Sequence, residues 1–445
     1  MTVYGGPNII TDGLVLHLDA ANRKSFDPVN ANTELLLHID GSNNSTSFVD
    51  SSKNGFTVTA VGNAKISTDQ SKFGGSSAVF DGTGDYLTLG GEAAFAFGTG
   101  DFTIEMWVYF NTISGDGFLY DSRGPNGLYP SIYRNGSVIR YFTNSANRIA
   151  SGTVAANQWY HVAVVRSGGT TALFLNGSQQ GTYADTNTYL NDALRPIIGA
   201  VGQSGFVGVS SLNGYIDELR IVKGRALYTS NFTPERKPYL DGNKIYDLSG
   251  ETNNGTLVNR PAYSSANGGV LSFDGVNDYG ETNQSNYLLL GTNNFTIETF
   301  VFFNTLNSNT TILRTDNGNA YNGVLFGHQQ NLACYITSSG TSWDILSNKY
   351  FVPSGALTNT WYYLVMVRNG NTFNGYTNGS LVWTANVVGT PSIYQSNPIV
   401  RFGSANSSGA YAMNGRISNM RIYNKILNLQ EIQQNYNALK GRFGL

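Results

Sequence analysis

The chain has 445 residues, a formal net charge of −2, 13% charged and 13% aromatic side chains, and 52 glycines. So many aromatic and so few charged side chains exclude a disordered chain, and the near-neutral balance removes the basic surface through which nucleic acids are gripped. The length exceeds one ordinary core and sets two domains as the first expectation.

From the N-terminus, "MTVYGGPNIITDG" (1–13) has neither a basic n-region nor an apolar h-region, and no stretch approaches eighteen uninterrupted apolar residues. This predicts a soluble chain that no ordinary signal exports and that no membrane takes up. The first predicted strand is "LVLHLD" (14–19), followed by a near copy, "LLLHID" (35–40), which sets His17 opposite His38. Further strands are read at 48–58, 74–87, "DFTIEMWVYFNT" (101–112), "NQWYHVAVVRSGG" (157–169) and "LNGYIDELRIVKGRAL" (212–227).

The series then repeats. "NFTIETFVFFNT" (294–305) is identical to 101–112 at eight of twelve positions, "NTWYYLVMVRNGN" (359–371) matches 157–169, and "MNGRISNMRIYNKIL" (413–427) matches 212–227, with Arg421 opposite Arg220. Phe80, Asp81, Asp85 and Tyr86 match Phe273, Asp274, Asp278 and Tyr279. Two copies of a unit of roughly 200 residues account for the chain.

The second copy has no opening strand just before "IYDLSGETNNGTLV" (245–258); the matching segment is 14–19. This predicts that residues 31–240 are inserted between the first and second strands of a host formed by 1–30 plus 241–445, at an exposed loop. Two tandem domains behind an N-terminal arm remain the alternative.

Within the repeated strand, Phe295, Ile297, Val301 and Phe303 alternate with Thr296, Glu298, Phe300 and Phe302, the period that sends neighbours to opposite faces. Asn-Gly at 176–177 and 378–379 signals hairpins. Each unit is therefore expected to be an antiparallel sandwich. The one predicted helix is the tail, with Leu429, Ile432, Tyr436 and Leu439 at helical spacing.

The series "FDGTGDYL", "DFTIEMWVYFN", "NQWYHVAVVRSGGTTALFLNG" and "GYIDELRIVKGRAL" resembles the laminin-G-like branch of the concanavalin A-like lectin/glucanase superfamily. The resemblance implies two all-β jelly-roll sandwiches whose first and last strands are neighbours, and many such domains hold a calcium ion at the rim. The framing segments "MTVYGGPNIITDGLVLHLDAANRKSF" and "NYNALKGRFGL" also resemble virion proteins of tailed phages of marine cyanobacteria. That second resemblance implies a multi-copy surface protein with other virion proteins and host cell-surface glycans as partners. Assembly in a bacterial cytoplasm would suit a chain whose single cysteine, Cys334, cannot form an internal disulfide.

For function, glycoside hydrolysis needs two carboxylates flanking the bond. Glu105 and Glu298 each stand alone among threonine and aromatic neighbours, and Asp217–Glu218 becomes Ser418–Asn419 in the other copy, so no catalytic dyad is expected. His17, His38, His161 and His328 show no metal-ligand spacing. The carboxylates of "DGTGD" and "DGVND" (Asp81, Asp85, Asp274, Asp278) are candidates for calcium, although capping of their own tight turn is the simpler expectation and no cofactor is expected. The candidate glycan-binding residues are Glu105, Trp107 and Tyr109 with Glu298, Phe300 and Phe302, whose rings would stack on sugars unless they fill a core. The expected role is a non-enzymatic virion appendage or decoration protein with host-glycan binding; a free-standing lectin-like adhesin and a glycan hydrolase are the alternatives.

Overall fold

The computed structural model describes residues 7–27, 29–90, 92–123, 129–190, 196–306, 309–316, 321–327 and 332–445. Two compact units divide it: a continuous one, Val29–Gly242, and a discontinuous one, Met1–Pro28 with Asn243–Leu445. Among the described residues each unit holds two eight-stranded antiparallel sheets, and no helix is long and apolar enough to cross a membrane.

The alternation in the repeated strand builds the cores. Phe102, Ile104, Met106, Val108 and Phe110 project into the core of the continuous unit, as Phe295, Ile297, Val301 and Phe303 do in the discontinuous one. Burying each such side chain contributes about 1.5–3 kcal/mol. Asn176 and Gly177, and Asn378 and Gly379, all have positive φ and turn the predicted hairpins between Thr170–Leu175 and Ser178–Ala184 and between Thr372–Thr377 and Ser380–Asn386. Cys334 is fully buried in the second core.

In the continuous unit, Phe102–Phe110 lies between Trp159–Ser167 and Asn213–Lys223, and Thr33–Leu37 pairs with the far half of the latter. In the discontinuous unit, Phe295–Phe303 lies between Trp361–Asn369 and Asn414–Tyr423, and Leu14–Asp19 pairs with the latter. The register corrects one expectation. His17 faces Arg421, whereas Arg220, the counterpart of Arg421, faces Leu36 rather than His38. The His17 N–H donates to Asp247 Oδ1 at 2.8 Å, and the Leu36 N–H donates to Asp50 Oδ1 at 3.0 Å, so the same two-residue offset holds on both sides. A shift of two keeps every side chain on its own face, and the hydrophobic pattern is blind to it.

The tail forms the helix Leu429–Leu439, begun by a capping box between Asn428 and Glu431. Ile432, Tyr436 and Leu439 pack against the sheet, but Leu429 is 48% exposed. Its expected place on the buried face goes to Asn435, which supplies donors to a carboxylate beneath the helix.

Candidate functional site

The two repeated glutamates are not alone. Glu105 Oε1 accepts Arg220 Nε at 2.8 Å and Nη2 at 2.6 Å, and Oε2 accepts the Tyr228 hydroxyl at 2.9 Å. His161 Nε2 lies 3.3 Å from Oε2. Burial by itself would raise the Glu105 carboxyl, but the Arg220 charge and His161 outweigh it and hold it at about 2. Glu298 is gripped in the same way by Arg421 Nε, by the Tyr363 hydroxyl and by Asn435 Nδ2 at 3.2 Å. The repeat carried a signal for these pairs, because both copies keep a Glu and an Arg at matched positions of adjacent strands.

In each unit the sheet that holds the repeated strand is covered by the chain that follows its last-made strand, Asn213–Lys223 or Asn414–Tyr423. In the continuous unit the Tyr228 and Phe232 rings stack at 3.5 Å, Phe174 meets Phe232 at 5.4 Å, and the Arg220 guanidinium lies 3.7 Å over the Tyr239 ring. Gly177, with φ +78°, lets this segment approach, and the Phe232 N–H donates to the Gly177 carbonyl at 2.9 Å. In the discontinuous unit Phe300 stacks on Tyr363 at 4.5 Å and on Phe443 at 4.6 Å. These covers correct the expected sugar-stacking face: Glu105, Trp107, Glu298 and Phe300 are buried. Tyr109 is half-buried against Trp159 and Tyr215, and Phe302 is half-buried against Trp361 under the Arg416 guanidinium.

The four candidate calcium ligands are turned toward their own turns. Asp81 Oδ1 accepts the Thr83 N–H at 2.8 Å and Asp85 Oδ2 the Asp81 N–H at 2.8 Å. Asp274 Oδ1 accepts the Val276 N–H at 2.8 Å and Asp278 Oδ2 the Asp274 N–H at 3.1 Å. Burial, with the charge of Asp274, pushes the Asp278 carboxyl up to about 6, which disfavours the charged form a cation would want. Among the described residues no group of three or more His, Cys, Asp or Glu side chains converges to hold a metal; the donor set does not fit a calcium ion.

The strand Asn213–Lys223 bulges between Asp217 and Arg220, with Glu218 at φ +49°, so simple alternation fails there. Asp217 Oδ2 accepts the N–H groups of Lys72 at 2.7 Å and Phe73 at 3.1 Å. Glu218 pairs with His38 Nδ1 at 2.9 Å, while His38 Nε2 meets Asp241 Oδ1 at 2.8 Å. Burial would lower the His38 imidazole, but Asp241 and Glu218 together raise it to about 10. A value above the unfolded one of about 6.5 means that the charged form stabilises the fold fully below that pH and that the benefit fades as pH rises to 10. His38→Gln should therefore cost most stability at pH 6 and progressively less towards pH 10, read from urea midpoints across that range; a pH-independent cost would refute the charged pairing of His38 with Glu218 and Asp241. His17 is buried and its imidazole is lowered to about 3 by burial and by the charges of Arg421 and Arg442. His161 is buried, and His328 lies outside the described residues.

Among the open clefts, two bear on sugar binding; most of their lining comes from loops, which give sequence reasoning no period to read, although Trp107 at the second was one of the predicted candidates. In the discontinuous unit a cleft of about 440 Å³ is lined by Asn286, Tyr287, Asn293, Asn294 and Asn424 over Phe295, with no charged side chain. Tyr287 is 55% exposed, and its hydroxyl is held by Glu251. Counting from the paired Arg220 and Arg421, Asn424 takes the place of Lys223 in the continuous unit. There the Lys223 ammonium donates to the Ala93 carbonyl at 2.8 Å and crosses to the neighbouring 3₁₀ turn, Glu92–Phe95. The second cleft, about 350 Å³ in the continuous unit, lies beside Lys72, Trp107 and Arg236.

No curated protein matches the chain. Solved structures with a similar fold include domain 4 of AbnA, a GH43 extracellular arabinanase from Geobacillus stearothermophilus in complex with arabinotriose. The two share 16% identity over 43% of this chain and 92% of that one, with a TM-score of 0.35. The binding domain of Paraclostridial Mosquitocidal Protein 1 shares 12% over 89% and 92%, with a TM-score of 0.38. Domains LG4-5 of the mouse laminin alpha1 chain share 11% over 79% and 90%, with a TM-score of 0.27. A family model described as the concanavalin A-like lectin/glucanases superfamily matches residues 81–230 and again 274–433, more than half of the chain, which belongs to that superfamily.

Proposed function

We propose that the chain is a non-enzymatic glycan-binding protein whose neutral-sugar site is the amide-lined cleft of the discontinuous unit. The observation that carries this reading is the cleft's lining: four asparagines and an exposed tyrosine over apolar residues, with no charged residue among those that line it. Side-chain amides match sugar hydroxyls as paired donors and acceptors, and an aromatic ring covers the apolar face of a pyranose. The absence of turnover is supported by the sheet carboxylates, since Glu105 and Glu298 are buried in arginine pairs and neither can exchange a proton with a bound glycosidic oxygen.

The resemblance of the framing segments to virion proteins supports a place on the outer surface of a phage particle. Its partners there would be other virion proteins and host glycans, and no metal or other cofactor enters the reading. Tyr287→Ala should weaken retention of neutral glycans on an array by about tenfold or more, the loss of a central aromatic contact, with an unchanged melting midpoint. Equal retention by both proteins would overturn the assignment of the cleft, and turnover of any retained glycan would overturn the non-enzymatic reading.

A further inference from the structure

The geometry points to a second, chemically distinct saccharide site in the continuous unit: the cleft beside Lys72, Trp107 and Arg236 takes the carboxylate of an acidic sugar, a hexuronate. The Lys72 ammonium lies 3.8 Å over the Trp107 ring. Among the described residues it makes no hydrogen bond or ion pair, so its donors remain for a ligand. Trp107 is only 8% exposed, yet its indole N–H has no partner. A buried donor without an acceptor is costly, and a ligand oxygen would relieve it.

Arg236, an exposed residue of the same lining, supplies a second cation, and Pro234 and Phe73 offer apolar surface for a sugar ring. Glu235 is the acid of the rim, so the lining residues themselves count two cations and one acid, with the buried Asp217 carboxylate behind Lys72. Charge-assisted bonds from an ammonium and a guanidinium to one carboxylate are among the strong polar contacts. At the matching place of the discontinuous unit, Phe300 stands where Trp107 does and is closed over by Phe443. The site is thus a property of one copy, made by the segment that crosses its sheet.

The inference rests on the glycan-binding reading but uses different residues, so the two can fail separately. The test titrates the full chain with oligogalacturonate and with its methyl ester, which keeps the ring and removes the charge. The free acid should bind and the ester should not. Lys72→Met and Arg236→Gln should each weaken the acid about tenfold or more, and Tyr287→Ala should leave it unchanged. Trp107→Phe, which keeps a ring and deletes the N–H, should weaken it too; if that variant fails to fold, Lys72→Met and Arg236→Gln still decide. Equal binding of acid and ester, unchanged binding in Lys72→Met, or no binding of the acid at millimolar concentration would each overturn the proposal. A sulfated oligosaccharide that binds in place of the acid, and is lost in Lys72→Met, would overturn the carboxylate assignment.

Discussion

Arg220→Met is expected to destabilise the continuous unit by about 3–5 kcal/mol, because it leaves the Glu105 carboxylate charged and unpaired in a fully buried site. The partners that remain, the Tyr228 hydroxyl and His161, cannot replace a two-pronged guanidinium. Adding Glu105→Gln removes the stranded charge while keeping an acceptor for Tyr228, so the double variant should be more stable than Arg220→Met alone. The pair also sets an acid limit. A folded-state carboxyl near 2 lies below the unfolded value of about 4.3, so its contribution is complete above pH 5 and is lost as pH falls towards 2. Urea unfolding of the three proteins at pH 7 and pH 3 measures both effects; a cost below 1 kcal/mol for Arg220→Met would show that the pair is bystander chemistry.

A chain that starts at residue 29 should lose the folded state of the discontinuous unit altogether. Val15, Leu16 and Leu18 are buried in its core, each contributing about 1.5–3 kcal/mol, and the strand that carries them pairs with Asn414–Tyr423 from Leu14 to Asp19. Their joint loss, with unpaired backbone groups added, rivals the 5–15 kcal/mol that typically holds a domain together. Hydrogen exchange read by mass spectrometry should show rapid exchange across 295–303 and 414–423, with protection kept across 102–110. Retained protection at 414–423 would contradict the role of this strand.

What the sequence made legible follows from what periodicity can encode. The repeat, the alternation of Phe295 through Phe303 and the two Asn-Gly hairpins are local patterns, and the structure has them in place. The register of Leu14–Asp19 was not legible, since a two-residue slip conserves the face of every side chain. The buried state of Glu105 and Trp107 was not legible either, because residues 225–241 cross the sheet without a regular period and give no pattern to read. The helix was readable, but its exposed Leu429 and buried Asn435 were not: Glu298, 137 positions away, chose the donor.

The pairing of Leu14–Asp19 with Asn414–Tyr423 also fixes an order of events on the ribosome. Once this strand has left the exit tunnel it must wait for a partner made roughly 400 residues later, about 20–80 s at ordinary elongation rates. Throughout that interval Leu14, Leu16 and Leu18 have no sheet to join, while the whole of Val29–Gly242 has already been synthesised. A nascent chain stalled before residue 414 should therefore expose an apolar end that the complete chain buries.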